Sequence, residues 1–393
     1  MRKAIVYRSN LLPVSETFIK EQMLALRRWR GTLVGLNKLN ALSLDGLDVL
    51  LLRPDNNQTD RLRWKLSTAT GFTPESVLKR LADEEPSLLH VHFGVEAIHA
   101  WPIARALNLP MLITLHGYDI SIRPEWWTSG SAGRAMQEYP RRLLELAKQP
   151  RTSFIAVSEA IRQRAISFGI PEAKITVQYI GVNIENFQPR GRPISERERR
   201  VLFVGRLVEK KGCEYLIRAF ARVQPRVPDA KIIIVGDGHL RESLTKLAQI
   251  LDVRADFLGS LPPVGVRREL ELARVFCLPS VTTLNGDAEG FGIVLLEAQA
   301  SGVPVITSAS GGATEGILEG ITGFAFDERD VLALADKLIY VLTNDLAAES
   351  MASAAPKFVA ERFDIARCTE ALETLWDKVS VTSELAIRSG TDL

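Results

Sequence analysis

The sequence predicts an α/β protein built from two doubly wound units, each a parallel sheet covered by helices. Three observations carry that expectation. Short β-rich runs alternate with helical patterns along the whole chain, and the pattern restarts near residue 200. Between the two series, residues 186–196 hold Pro189, Gly191 and Pro193 among dense charge, the composition of a linker. At 393 residues, 46% hydrophobic and 24% charged, the chain can bury two cores.

In the first series the β-rich runs place strands at residues 3–7, 33–36, 88–92, 111–115 and 153–157, with a further strand at 174–179. Apolar residues at helical spacing place helices at 16–28, 74–84, 98–107, 134–148 and 159–168. The second series gives strands at 200–204, 231–235, 255–258, 275–278 and 303–307. Its helices fall at 214–224, 240–251, 266–272 and across Ile293 to Ala300, the last stopped by Gly302 and Pro304. The units are drawn as residues 1–188 and 189–363.

Composition narrows the function. Net charge is only +2, yet residues 1–190 hold 25 Lys and Arg against 18 Asp and Glu, and the remainder 24 against 29. The basic first half suggests an acidic partner or an anionic membrane surface, and no nucleic acid is expected. Cys213, Cys277 and Cys368 are odd in number and far apart, so neither a disulfide framework nor a metal cluster follows. No signal-type apolar run opens the chain and no 18 consecutive apolar residues occur, which predicts a cytoplasmic chain, at most peripheral to a membrane.

Ligands of such folds sit beyond the carboxyl ends of the strands, and distinctive residues cluster there. After the first strand comes Arg8-Ser-Asn-Leu-Leu-Pro-Val-Ser15, expected to be a mobile loop with Ser15 as a helix cap. His90, His92 and His116 lie near strand ends; a metal is conceivable, but no acidic or cysteine ligand shares their spacing, so none is assigned. Trp126 and Trp127 could stack on a sugar, lie at a lipid interface or cover the domain edge.

In the second series Gly205 permits a tight turn, and Arg206 and Lys211 can bring two cations over one loop. Val235-Gly236-Asp237-Gly238 is a partial dinucleotide fingerprint, read as a tight turn near a ligand. The most informative stretch is Glu289-Gly290-Phe291-Gly292, opening the helix at Ile293. A helix start offers unpaired N–H groups and partial positive charge to phosphate or sugar oxygens. Glu297 lies two turns beyond Glu289, so both carboxylates are expected on one face toward one cavity.

Together Ser15-Glu-Thr-Phe, His92-Phe-Gly, His116-Gly-Tyr-Asp119, Gly181-Val-Asn, Gly205-Arg-Leu with Lys211-Gly, Val235-Gly-Asp-Gly, and Glu289-Gly-Phe-Gly with Glu297 resemble the retaining glycosyltransferases of family 4. The resemblance covers nearly the whole chain. The variant beginning at Asn285 looks like members that extend bacterial exopolysaccharide or lipid-linked repeat units. It implies a GT-B fold: two Rossmann-like domains facing each other across a cleft, with a C-terminal helix of about 364–393 returning to the first domain and residues 382–393 frayed.

The implied activity is metal-independent sugar transfer from a nucleotide-diphosphate sugar, UDP-sugar first and GDP-sugar second, to a glycan or polyprenyl-linked acceptor. No cofactor is implied, and the inner membrane surface is a further candidate partner. Glu297 is expected to take the ribose hydroxyls. Glu289, with Gly290 and the N–H groups of Phe291 and Gly292, is expected to orient the sugar. Arg206 and Lys211, aided by Gly205, Gly236 and the helix start at Ile293, are expected to neutralise the diphosphate. His116 and Asp119 are expected to line the anomeric centre and the acceptor side, where Ser15 and His92 are also placed. Asn183 departs from the Asp of many relatives, and the first loop lacks their glycine pair. The alternatives are a nucleotide-sugar epimerase of the same architecture and a non-catalytic binding module in an envelope assembly complex.

Overall fold

The computed structural model describes residues 1–39, 42–53, 72–190 and 192–389. Gly191 of the expected linker lies outside them. The first series folds as β1 (Arg2–Tyr7), β2 (Asn10–Leu11), α1 (Thr17–Leu24), β3 (Trp29–Gly35), β4 (Asn37–Lys38), β5 (Asp48–Leu51), α2 (Glu75–Ala82), β6 (Leu88–His92), α3 (Gly94–Ala106) and β7 (Met111–Leu115). It continues with α4 (Tyr118–Ser121), α5 (Pro124–Thr128), α6 (Tyr139–Lys148), β8 (Thr152–Ala156), α7 (Glu159–Phe168) and β9 (Ile175–Val177). Seven strands form one parallel sheet in the order β5-β3-β1-β6-β7-β8-β9. The strands β6 and β7 are buried at every residue, as helices on both faces require.

The second series comprises β10 (Arg200–Val204), α8 (Cys213–Val223), β11 (Lys231–Val235), α9 (Arg241–Ile250), β12 (Ala255–Gly259), α10 (Pro263–Leu272), β13 (Val275–Leu278), α11 (Ile293–Ala300), β14 (Val305–Ser308), β15 (Gly323–Phe326), α12 (Val331–Thr343) and α13 (Asp345–Phe363). Its six strands run in the order β12-β11-β10-β13-β14-β15, all parallel. In both sheets the order reverses beside the first strand, between β1 and β6 and between β10 and β13. Crevices for ligands open at such points.

The chain ends in α14 (Ile365–Ser389), which belongs to the first unit. Leu372 and Trp376 of this helix join the core made by Ala4, Val6, Leu33 and Leu88. Residues 1–181 with 365 onward form one unit and 182–364 the other, so the division falls at 181/182 and not at 188/189. The cause is local: the Val182 N–H donates to the Phe363 carbonyl at 2.8 Å, and Val182 bridges Asp364. The segment expected to be frayed is helical as far as Ser389.

Other departures have physical causes. The helix expected over 16–28 ends at Leu24, because Trp29 already enters β3 beside Arg2 of β1. The helix expected over 134–148 is divided: Arg134–Met136 is a single 3-10 turn and α6 starts at Tyr139, with Pro140 in its first turn. Helix α3 begins at Gly94 rather than 98, because Phe93 alone, at φ +75°, turns the chain out of β6. No helix among the described residues is long and apolar enough to cross a membrane.

Candidate functional site

In the second unit the turn after β10 is tied to the turn after β11. The Gly205 N–H donates to Val235 O (3.0 Å) and the Leu207 N–H to Asp237 O (2.8 Å). Gly236 packs so closely on Gly205 that a Cβ there would come within 1.9 Å of the Gly205 carbonyl oxygen. Gly212, at φ +63°, lies against the chain leaving β13; a Cβ there would meet the Pro279 carbonyl oxygen at 1.7 Å. That approach delivers Lys211 to the opposite wall of the crevice.

There the Lys211 Nζ lies 2.5 Å from Glu289 Oε2, and Ser280 Oγ donates to the same oxygen at 3.2 Å. Beside this pair Lys210 Nζ lies 3.0 Å from Asp287 Oδ1. Burial by itself would raise the pKa of Glu289, but the Lys211 and Lys210 ammonium groups and the Lys211 and Ser280 hydrogen bonds outweigh it, bringing the carboxyl down to about 2. The loop ahead of it is pinned: the Thr282 N–H and hydroxyl donate to the two oxygens of Glu328, each at 2.7 Å. Its far end is held where the Gly312 N–H donates to Glu289 O at 3.1 Å.

Gly292, at φ +82°, turns this loop into α11, and no side chain caps the helix start. The Leu295 N–H already donates to the Gly292 carbonyl (2.8 Å), and the partial positive charge of the helix start suits ligand oxygens. Glu289 and Glu297 do not share a helix face. Helical phase begins only at Ile293; Glu289 is a buried loop residue and Glu297 is half-buried on α11. Gly290 and Phe291 are buried, Phe291 against Phe363 with ring centroids 5.4 Å apart. Arg206 is exposed, and its side chain makes no ion pair among the described residues.

In the first unit the segment after β1 is not a mobile loop. Arg8 donates to both oxygens of Glu16 (3.0 and 2.8 Å) and also to Glu96, and its guanidinium lies 4.7 Å from the centre of the Phe93 ring. All three charged groups are buried. Ser15 is exposed within the 3-10 turn Val14–Glu16 and caps nothing; Glu16 takes the cap position of α1.

The histidines form a column. His90 Nε2 is 2.7 Å from Thr114 Oγ1, His92 Nδ1 is 3.0 Å from His116 Nε2, and the His92 and His116 rings stack at 5.2 Å. Burial holds His90 down to about 3, and His92 and His116 well below the ordinary histidine range, so all three are neutral near pH 7. Asp119 does not line an open surface. It is fully buried, and its carboxylate accepts the backbone N–H groups of Gly94 (2.8 Å), Gly117 (2.9 Å) and His116 (3.1 Å). Burial raises its pKa and these donors oppose the rise. Trp127 is core as well, buried against Tyr139 at 4.7 Å.

Two family models match the chain: "Glycosyl transferases group 1" over residues 185–358 and "Glycosyltransferase Family 4" over residues 53–186. A GDP-mannose-dependent alpha-(1-6)-phosphatidylinositol monomannoside mannosyltransferase of Mycobacterium tuberculosis is 34% identical, the match covering 75% of this chain and 76% of that protein. The chain belongs to the family 4 glycosyltransferases. The amylovoran biosynthesis glycosyltransferase AmsK of Erwinia amylovora is 30% identical over 63% of this glycosyltransferase and 60% of its own length. Anabaena HepE, solved in complex with UDP and glucose, superposes with a TM-score of 0.76 at 19% identity, covering 96% of this chain and all of that one. The fold of this glycosyltransferase is GT-B.

Of the residues singled out in the glycosyltransferase sequence, Gly205, Lys211, Gly236 and Glu289 meet around one crevice. His92 and His116 meet at the end of the first sheet. Sequence reasoning weighed Lys210 only as part of a surface charge run and gave no role to Asp287, Ser280, Glu328 or Glu96. A signal existed for one pair: Lys210-Lys211 and Asp287-x-Glu289 are adjacent cations and alternate acids in facing loops.

Proposed function

We propose that this glycosyltransferase moves a sugar from a nucleotide-diphosphate donor to a hydroxyl of a glycan or lipid-linked acceptor in cell-surface polysaccharide synthesis, with retention of configuration and without a divalent ion. UDP-sugar is the first choice of donor and GDP-sugar the second. The observation that carries the reading is the Lys211–Glu289 contact at the foot of the uncapped α11. A diphosphate at the helix start would compete with Glu289 for the Lys211 ammonium, and a carboxylate released from that ammonium can accept hydrogen bonds from sugar hydroxyls. Exposed Arg206 supplies a second cation, and Glu297 is the acceptor for the ribose.

In the transfer the bond from the anomeric carbon to the leaving phosphate oxygen breaks. The acceptor oxygen bonds to the same face, and its proton passes to the departing phosphate. With a cationic pair and a helix dipole placed for the diphosphate, the site has no need of a metal bridge. The UDP-glucose bound in a HepE structure favours UDP, the mannosyltransferase relative keeps GDP in view, and the name of AmsK suggests the polysaccharide role.

The test incubates the protein and Lys211→Ala with UDP- and GDP-sugars, with EDTA, and with or without a lipid-linked glycan acceptor. Acceptor-dependent turnover in EDTA, reduced about 10²–10³-fold in the variant, is expected. Donor consumption with no acceptor would assign an epimerase instead, and strict dependence on added divalent ion would overturn the metal-free reading.

A further inference from the structure

The histidine column holds more information than its distances. Only one ring nitrogen of each buried histidine has a partner: His90 Nδ1 and His92 Nε2 are buried without one. His90 and His92 are 1% and 2% exposed, whereas His116 is half-buried. Phe93 and Phe18 pack on His116 with centroids 4.4 and 5.0 Å away, and its backbone N–H is fixed by Asp119. The ring is therefore held in position from several sides.

The 3.0 Å contact between His92 Nδ1 and His116 Nε2 needs one proton. If His116 supplied it, His92 would carry its own proton on Nε2, a buried N–H donor with no acceptor. If His92 supplies it, Nε2 of His92 is left with only a lone pair. Buried orphan donors are rarer than under-satisfied acceptors and forfeit their whole hydration. The second arrangement is thus the favoured one. The same choice at His90, donating through Nε2 to Thr114 Oγ1, leaves its orphan Nδ1 as a lone pair too.

We infer that His92 is a positioning residue that fixes His116 as its Nδ1–H tautomer, so that His116 meets its ligand as a hydrogen-bond donor and not as a base. Nε2 of His116 is occupied by the His92 proton, and Nδ1 carries the proton it offers outward. The groups facing the pair are His90, Arg8 and the rings of Phe18 and Phe93. None of these is an acid, and the neighbouring Asp119 carboxylate accepts the backbone N–H groups of His116, Gly117 and Gly94. The tautomer rests on geometry alone. Its use toward an oxygen of the sugar or acceptor rests on the transferase reading above.

Long-range proton–nitrogen correlation spectra of protein labelled with ¹⁵N-histidine, without any sugar nucleotide, test the tautomer directly; the chain has only five histidines. With His116 assigned by difference against His116→Gln, a pyrrole-type Nδ1 and a pyridine-type Nε2 are expected. The reverse pattern, or averaging of the two, overturns the inference. Kinetics with a UDP-sugar then test its use. His92→Leu should lower kcat about tenfold with little change in donor KM, and His92→Asn, whose amide can donate from the Nδ1 position, should recover most of it. Equal impairment of both variants would refute the positioning role even with the tautomer confirmed. Absence of any transfer by the wild type would refute the transferase reading and leave the tautomer standing.

Discussion

Glu289 is under opposing influences, burial against two ammonium groups, and their balance has a measurable sign. Its folded pKa of about 2 lies below the ordinary 4.5, so ionised Glu289 contributes stability that is fully present above pH 4.5 and is lost as pH falls through about 2. The Tm of the wild type should therefore fall more steeply between pH 4.5 and 2 than that of Glu289→Gln, followed by circular dichroism. Lys210→Met removes one of the opposing cations, and the acid limb of its pH–activity profile should move to higher pH. Equal profiles for Lys210→Met and the wild type would show that Lys210 does not act on the carboxyl. At this scale the sequence was legible where a residue type is unusual in its setting, as with glutamate beside glycines. It was illegible where partners lie far apart in the chain: Arg8 and Glu96 are 88 residues apart, and no local pattern joins them.

Elements were legible when their apolar runs were buried by neighbours on both faces. The strands β6, β7, β10, β11 and β13 lie where the sequence placed them, whereas β2 and β4 are two residues each and β5 is a partly exposed edge. Between β14 and the C-terminal helix nothing was read: β15 is only four residues, α12 is apolar nearly all round, and α13 carries Pro356 inside an alanine-rich run. The turn joining β10 to α8 gives the sharpest element-level expectation. Gly212→Ala forces a side chain both into a left-handed conformation and onto the Pro279 carbonyl. It should destabilise the protein by at least about 3 kcal/mol in urea unfolding. Gly133, also at positive φ but with open space around its Cβ position, serves as the control; alanine there should cost about 1 kcal/mol.

For the whole molecule the decisive feature is the return of α14 to the first unit. The Glu373 carboxylate accepts the backbone N–H groups of Arg27 (2.9 Å), Arg28 (2.7 Å) and Trp29 (2.9 Å), while Trp376 packs against Trp29 and His90. Glu373→Ala leaves those donors without their acceptor and should cost about 2–4 kcal/mol, read as an earlier denaturation midpoint. The two-unit plan was visible in the restart of the strand–helix pattern. The position of the crossing was not, because proline and charge mark exposed chain, whereas the crossing is defined by the backbone pairing of Val182 with Phe363 and Asp364.

That nesting has a consequence for biosynthesis. The inner unit is one uninterrupted stretch and can close on the ribosome once residue 364 has emerged, while the outer unit, begun first, waits for the final helix with its apolar sheet face uncovered. The half made first is therefore the half finished last, and a transcript truncated before the last helix would yield one finished lobe and one sticky remnant.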